Sequence, residues 1–359
     1  MEEFKPQSLF IDTRVAHFPV VKRVLSLWPH LKPNFVDDLS FLKQAIPHSE
    51  AKKKLLITRF DGSVVKPCQG FGDYVCCNYL TVSLISNCHF ECSYCILQDY
   101  LKNNPIMTFY ANHHEILAQV EKFLDERPQQ IWRVGTGELA DSLALDPITD
   151  FSRECIALAA RKQNMILELK TKSNCVDHLL KLPHHNKTVL SWSLNPKEHV
   201  KKEEHKTANL DERLAAARKA ANAGYWIAFH LDPLMHLEGW KKNYEELLIQ
   251  LADEFCSEEI AWISMGSLRY TSGLENIARE RFPKSELFLG ELFKSPDGKI
   301  RYLREIREEL YTYVKNLVEK NFPTVPNYLC METNKVWERI YGRTSTQGEI
   351  EKHLNERFG

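Results

Sequence analysis

An α/β fold built on a parallel sheet is predicted by three observations. Six short β-rich runs recur from residue 80 onward, helical patterns separate most of them, and one of those helices carries both of its caps. The runs are residues 81–85, 130–134, 165–170, 188–194, 226–231 and 260–265. Between the first two, Ile116, Leu117, Val120, Phe123 and Leu124 recur at i, i+1, i+4, i+7 and i+8, one face of a helix. Residues 210–223 form the clearest helix: Asn209 can cap it, Glu212 stands three residues on as in a capping box, and Gly224 can take the left-handed closing position. A further helix over 244–255 precedes the sixth run. Repeated β-α units imply right-handed crossovers and a parallel sheet, either doubly wound or curled into a partial barrel. In both, chemistry gathers at the carboxyl ends of the strands.

The flanks read differently. Residues 1–80 form an N-terminal extension with helical spacing over 20–28 and a strand-like LLITRF after Lys52, Lys53 and Lys54. The sheet unit spans 81–300. Residues 301–359 read as a C-terminal helical segment broken by Phe322-Pro323 and Val325-Pro326, with a last helical stretch over 336–358 interrupted at Gly342 and 344–348. The run KEHVKKEEHK, residues 197–206, has four Lys against three Glu and reads as a solvated loop.

Composition bounds the function. Of 359 residues, 43% are hydrophobic and 26% charged, with 18 Phe, 13 Tyr and 7 Trp, which suits a globular core and argues against disorder. No apolar run approaches the ~18 residues of a membrane span, and the opening MEEFKPQSLF is acidic where a signal peptide would be basic. A soluble, cytoplasmic protein with no membrane partner is expected. Lys plus Arg number 47 and Asp plus Glu 48, which excludes a non-specific nucleic-acid coat but leaves room for a local basic groove. Ten cysteines in such a chain suggest metal or redox chemistry, and six of them lie between Cys68 and Cys95.

Cys88, Cys92 and Cys95 form C-x3-C-x2-C directly after the first β-run. Three thiolates on one loop can hold three irons of a [4Fe–4S] cube, leaving the fourth iron open. Structural zinc would want a fourth protein ligand, for which His89 or Cys77 would have to serve. In this position the spacing resembles the radical SAM superfamily, whose open iron binds S-adenosylmethionine (SAM), and Tyr94 matches its aromatic beside the adenine. The second run ends in Gly135-Thr136-Gly137-Glu138. The glycines would let the backbone approach a ligand, and Glu138 offers a negative partner for the methionyl ammonium.

Longer segments resemble the spore photoproduct lyase family: CSYCILQDYL, LELKTKSNCVD, LSWSLNP, LDERLAAARKAANAGYWIAFHLDPLMHLEGW, SLRYT and NYLCMET, in order over residues 5–335. The resemblance implies a partial (β/α)6 radical SAM barrel with SAM over the cluster at the strand ends. It also implies that Lys172 and Ser193 lie near the SAM carboxylate and Asn195 near the ribose. His230 reads as a histidine of the barrel wall. The family reaction is radical repair of a thymine photolesion in DNA, served by an external electron donor of flavodoxin or ferredoxin type. In it a cysteine at the end of the second strand returns a hydrogen atom. Here Glu138 stands at that position, and a carboxylate has no weak S–H bond to give. Cys76, Cys77 and Cys330 are the candidate substitutes, and another substrate is the alternative. For damaged DNA, Arg269-Tyr270, Lys52–Lys54, Arg339 and Arg343 are the candidate contacts. The family also carries a β-hairpin that wedges DNA open, whereas 336–358 here reads as helix.

Overall fold

A computed structural model describes residues 1–43, 46–68 and 74–358. The central sheet contains β1 (Leu80–Val82), β2 (Trp132–Gly135), β3 (Met165–Thr171), β4 (Thr188–Ser193), β5 (Trp226–Leu234), β6 (Ile260–Ser267) and β7 (Asn327–Leu329). These lie in sequence order and pair in parallel throughout, with Val65–Pro67 antiparallel on the free side of β1. Every residue of β4 and β6 is buried, as expected for strands covered on both faces.

The sheet is curled. In a flat sheet β2 and β6, four steps apart, would be separated by roughly 19 Å at about 4.8 Å per strand. Instead the Arg133 guanidinium on β2 lies 5.3 Å from the Trp262 ring on β6. Likewise His230 on β5 reaches Glu168 on β3 at 2.6 Å across the hollow. The linear order leaves both edges unjoined, so the structure is the expected partial barrel. His230, bonded also to Ser264 on β6 at 2.6 Å, is a wall histidine as the sequence suggests.

Helices α1 (His113–Asp125), α2 (Phe151–Arg161), α3 (Leu210–Asn222), α4 (Trp240–Glu254) and α5 (Arg304–Asn321) form crossovers. In α3 the capping box is complete, with Asn209 and Glu212 bonded reciprocally, and Gly224 takes φ +85° just beyond the helix. The tail folds into α6 (Asn334–Tyr341), closed by Gly342 at φ +69°, and α7 (Gln347–Asn355).

Three expectations need correction. The run 81–85 does not form one strand: Leu80–Val82 joins the barrel, whereas Ile85–Ser86 joins a second sheet made of Pro33–Val36, Ser8–Asp12, Lys54–Thr58 and Met107–Tyr110. The loop over 197–206 is a helix, Lys197–Glu203, followed by a strand, Glu204–His205, with Glu203 and Glu204 buried. A hairpin also exists upstream of the helical tail. Leu292–Lys294 pairs with Lys299–Tyr302, which in turn pairs with Arg269–Thr271. Its signal was Ser295-Pro296-Asp297-Gly298, a turn sequence whose glycine takes φ +81°.

Candidate functional site

The chain leaving β1 carries the three cysteines over the carboxyl ends of the strands. Cys88, Phe90, Cys92 and Ala144 form one small packed cluster, with Met1, Tyr94 and Cys95 against it. The loop is held by its backbone: Asn87 accepts from the Cys88 amide at 2.8 Å, the Cys92 carbonyl from the Cys95 amide at 3.2 Å, and Gln98 donates to the Cys92 carbonyl at 3.0 Å. Among the described residues, the sets of three or more ligand atoms converging within 4.8 Å are His113, His114 and Glu154, and Asp146, Asp150 and His178. The loop cysteines are not such a set. A single zinc at ~2.3 Å from each sulfur would draw them to about 3.8 Å apart; thiolates on separate irons of a cube stand farther apart. Three thiolates on one loop are a donor set that fits three irons of the cube.

Around this loop the structure gathers most of the residues the sequence singled out. Lys172 places its ammonium 5.7 Å from the centre of the Tyr94 ring. Tyr94 donates to Glu204, and Asn195 donates to the same carboxylate at 2.8 Å. The Ser193 carbonyl accepts from Arg213 at 2.8 Å, which also grips Glu204 at 2.5 Å. Burial would raise the Glu204 carboxyl, but Arg213, Lys172, Tyr94 and Asn195 outweigh it and hold it at about 2.

The turn after β2 divides. Thr136 donates to Ser142 at 2.9 Å, and Glu138 is exposed at its tip. Gly135 needs to be glycine for an internal reason: an added Cβ would lie 1.5 Å from the Tyr79 hydroxyl. Gly137 is freer, its nearest neighbour being the Ser142 hydroxyl at 3.1 Å.

Sequence reasoning missed three residues here. Asp141 accepts from the Leu143 and Ala144 amides, from Thr171 at 2.6 Å and from the Lys172 amide at 2.6 Å, so it ties the β2 turn to the residue that follows β3. Glu204 and Arg213 are the other two. The signal was Arg213 itself, which falls on the apolar stripe of α3 with Leu210, Leu214, Ala217 and Ala220 and therefore had to be buried against an anion.

The candidate hydrogen donors lie within electrostatic reach of one another. Cys330 follows β7, and its sulfur accepts from Arg269 at 3.5 Å. Arg269 is itself paired with Asp232 at 2.9 Å, at the end of β5. Burial pushes the Cys330 thiol up to about 12, with Arg269 pulling the other way and Cys76 and Cys77 within electrostatic reach. Cys77 lies beneath Arg133, which donates to its carbonyl, and the Cys76 and Cys77 thiols are both raised by hydrogen bonding in their own cluster and by burial.

The DNA candidates separate. Arg269 is committed to Asp232, and Tyr270 is fully buried, so neither forms a rim. The Lys52 side chain is largely covered and donates to the Phe90 carbonyl, supporting the cysteine loop instead. Lys53 and Lys54 are half-buried, and Arg339 and Arg343 are exposed. On and beside the hairpin, Leu289, Phe293 and Lys294 are exposed too. No helix among the described residues is long and apolar enough to cross a membrane.

The family model described as Spore photoproduct lyase matches residues 4–329. A spore photoproduct lyase of Geobacillus sp. (strain Y412MC61) is 30% identical over 251 residues, 68% of this chain and 74% of that protein. The spore photoproduct lyase of Bacillus subtilis (strain 168) is 25% identical over 342 residues, 89% of this chain and 96% of that one. Among solved structures, a spore photoproduct lyase double mutant with bound AdoMet and dinucleoside spore photoproduct superposes with a TM-score of 0.82 at 25% identity. The match covers 91% of this chain and all of that one.

Proposed function

Because this chain belongs to the spore photoproduct lyase family, we propose that it is a radical SAM lyase that repairs a thymine photolesion in DNA. The observation that carries the reading is the convergence of the cysteine loop with Tyr94, Lys172 and Asn195 at the strand ends of a barrel that matches a SAM-bound relative. Cys88, Cys92 and Cys95 would hold the [4Fe–4S] cluster, which when bound and reduced supplies the electron that cleaves SAM to a 5′-deoxyadenosyl radical.

The chain's own residues bind and orient. Lys172, its backbone fixed by Asp141, would hold the SAM carboxylate as a point charge together with Ser193. Exposed Glu138 would hold the ammonium, and Asn195 and Tyr94 would hold the ribose and adenine. Glu138 cannot return a hydrogen atom, so a thiol does. Cys76, Cys77 and Cys330 are all kept protonated, the form that has a hydrogen to give. In that step the S–H bond breaks homolytically, the hydrogen completes the thymine methyl group, and a thiyl radical is left. Damaged DNA would approach over the exposed hairpin side chains Phe293 and Lys294, with an external flavodoxin- or ferredoxin-type protein as reductant.

A second reading keeps the fold and cofactors but changes the substrate, and Glu138 in place of the donor cysteine favours it. Anaerobic turnover of the reconstituted protein with SAM, dithionite and an oligonucleotide carrying spore photoproduct decides between them. Restored thymine together with 5′-deoxyadenosine supports lesion repair, and loss of thymine in one of Cys76→Ala, Cys77→Ala or Cys330→Ala identifies the donor. 5′-Deoxyadenosine without thymine refutes the lyase reading and leaves the second.

A further inference from the structure

Three of the side chains assigned to SAM are organised by a residue that the sequence places in a solvated loop. Glu204 is buried, and its carboxylate accepts from the Tyr94 hydroxyl, from Asn195 at 2.8 Å and from Arg213 at 2.5 Å, with the Lys172 ammonium 5.7 Å from the centre of the Tyr94 ring so held. Its backbone also pairs with the cluster loop: Glu204 stands opposite Cys92 and His205 opposite Glu91 in an antiparallel bridge. Glu203 adds a second hold, its carbonyl accepting from the Ser93 amide at 2.9 Å and its carboxylate from the hydroxyls of Ser93 and Ser285.

A buried carboxylate with this many donors is a poor way to gain stability, since apolar residues of the same volume commonly do as well or better. What it provides is geometry: each donor is held in one orientation, because leaving any of them unpaired in the interior is costly. We propose that Glu204 is a positioning residue for SAM. It fixes the Tyr94 ring, the Asn195 amide and the Lys172 ammonium relative to the cysteine loop, without itself touching the substrate. The segment Lys197–His205 is thus a clasp that registers the SAM-binding groups against the cluster. This inference rests on the assignment of Tyr94, Lys172 and Asn195 to SAM made above.

Glu204→Gln alone would leave Arg213 buried without its anion and could fail to fold. The test therefore uses the charge-balanced Glu204→Gln/Arg213→Gln variant and, separately, Tyr94→Phe, which keeps the ring and deletes one bond to Glu204. Each is reconstituted and assayed without any DNA. The readouts are iron and sulfide per chain, thermal midpoint of the cluster-free protein, SAM affinity by equilibrium dialysis, and KM against kcat for 5′-deoxyadenosine release. The expected result is near-parent iron content in both variants and a near-parent midpoint in Tyr94→Phe, with SAM affinity weakened about tenfold or more in the double variant and KM for SAM raised more than kcat falls. An unchanged SAM affinity in the double variant, within about twofold per loaded chain, overturns the proposal. So does loss of the cluster or of the fold in both variants with normal SAM affinity in the loaded fraction, which would make Glu204 a structural clamp alone. Failure of the unsubstituted protein to bind SAM is seen before any variant is made and refutes the assignment underneath.

Discussion

Gly135→Ala separates two reasons for a glycine at the end of β2. If Gly135 is there to admit a ligand, alanine should weaken SAM binding and leave the cluster-free protein's stability alone. The structure gives a different reason. An ideal Cβ at Gly135 would stand 1.5 Å from the Tyr79 hydroxyl, 2.2 Å from Cζ and 2.8 Å from Cε2. To reach ordinary contact near 3.4 Å the hydroxyl must retreat by about 2 Å. Tyr79 sits immediately before β1, whose Leu80 and Thr81 are in register with Val134 and Gly135, so the ring cannot move without disturbing that pairing. Overpacking of this kind costs ~1–3 kcal/mol, and contact with ring atoms as well as the hydroxyl places it at the upper end. At roughly 2 °C per kcal/mol for a chain of this size, the thermal midpoint should fall by about 6 °C. Gly137→Ala is the control: its nearest contacts are the Ser142 hydroxyl at 3.1 Å and Lys170 Cβ at 3.4 Å, and it should cost less than about 1 kcal/mol. Thermal unfolding of the cluster-free proteins, followed by far-UV circular dichroism, measures both. A Gly135→Ala midpoint within ~1 °C of the parent, or equal to that of Gly137→Ala, would refute the steric reasoning.

Two further outcomes can be checked with the same assay. Asn209→Ala removes the side-chain acceptor for the Glu212 amide in the capping box of α3 and should cost about 1 kcal/mol, recovered in large part by Asn209→Ser; no change in midpoint would contradict it. Stability should also decline in two stages on acidification. Burial lowers His89 and His199 from 6.5 to about 4. Between those values the unfolded chain binds protons that the folded one refuses, so their contribution is intact above pH 6.5 and lost as pH falls toward 4. Glu204 is held at about 2 because Arg213, Lys172 and its hydrogen-bond donors outweigh the opposing effect of burial, so a second loss runs from about 4.5 down to 2. A midpoint constant from pH 7 to pH 4 would show that the two histidines are not held neutral by the fold.

Local chemistry made much of this protein readable from its sequence. The capping box at Asn209 and Glu212, the cysteine spacing after β1 and the apolar periodicity of α1 each depend on residues within a few positions of one another, and each is found where that logic puts it. The partial barrel followed from β-α alternation together with family resemblance. Whether the sheet curled or lay open was beyond periodicity, because both forms use the same strands and helices. It is settled by contacts across the hollow, Arg133 to Trp262 and Glu168 to His230.

What the sequence concealed has a common cause. The segment 197–206 has the charge pattern of a solvated loop, yet Glu204 is buried because Arg213, nine residues on, and Tyr94, 110 residues back, bring their donors to it. Arg269 and Lys52 looked like a basic rim, but Asp232 and the Phe90 carbonyl had already claimed them. Gly135 reads as a ligand-contacting glycine until the Tyr79 ring is seen lying over it. The sequence by itself determined the cysteine motif and the capped ends of α3, because short-range spacing and capping decide those. Only the tertiary structure decided which charges are spent inside the protein and which remain for a ligand, because a buried charge is stabilised by whatever partner the fold delivers and that partner is distant in sequence.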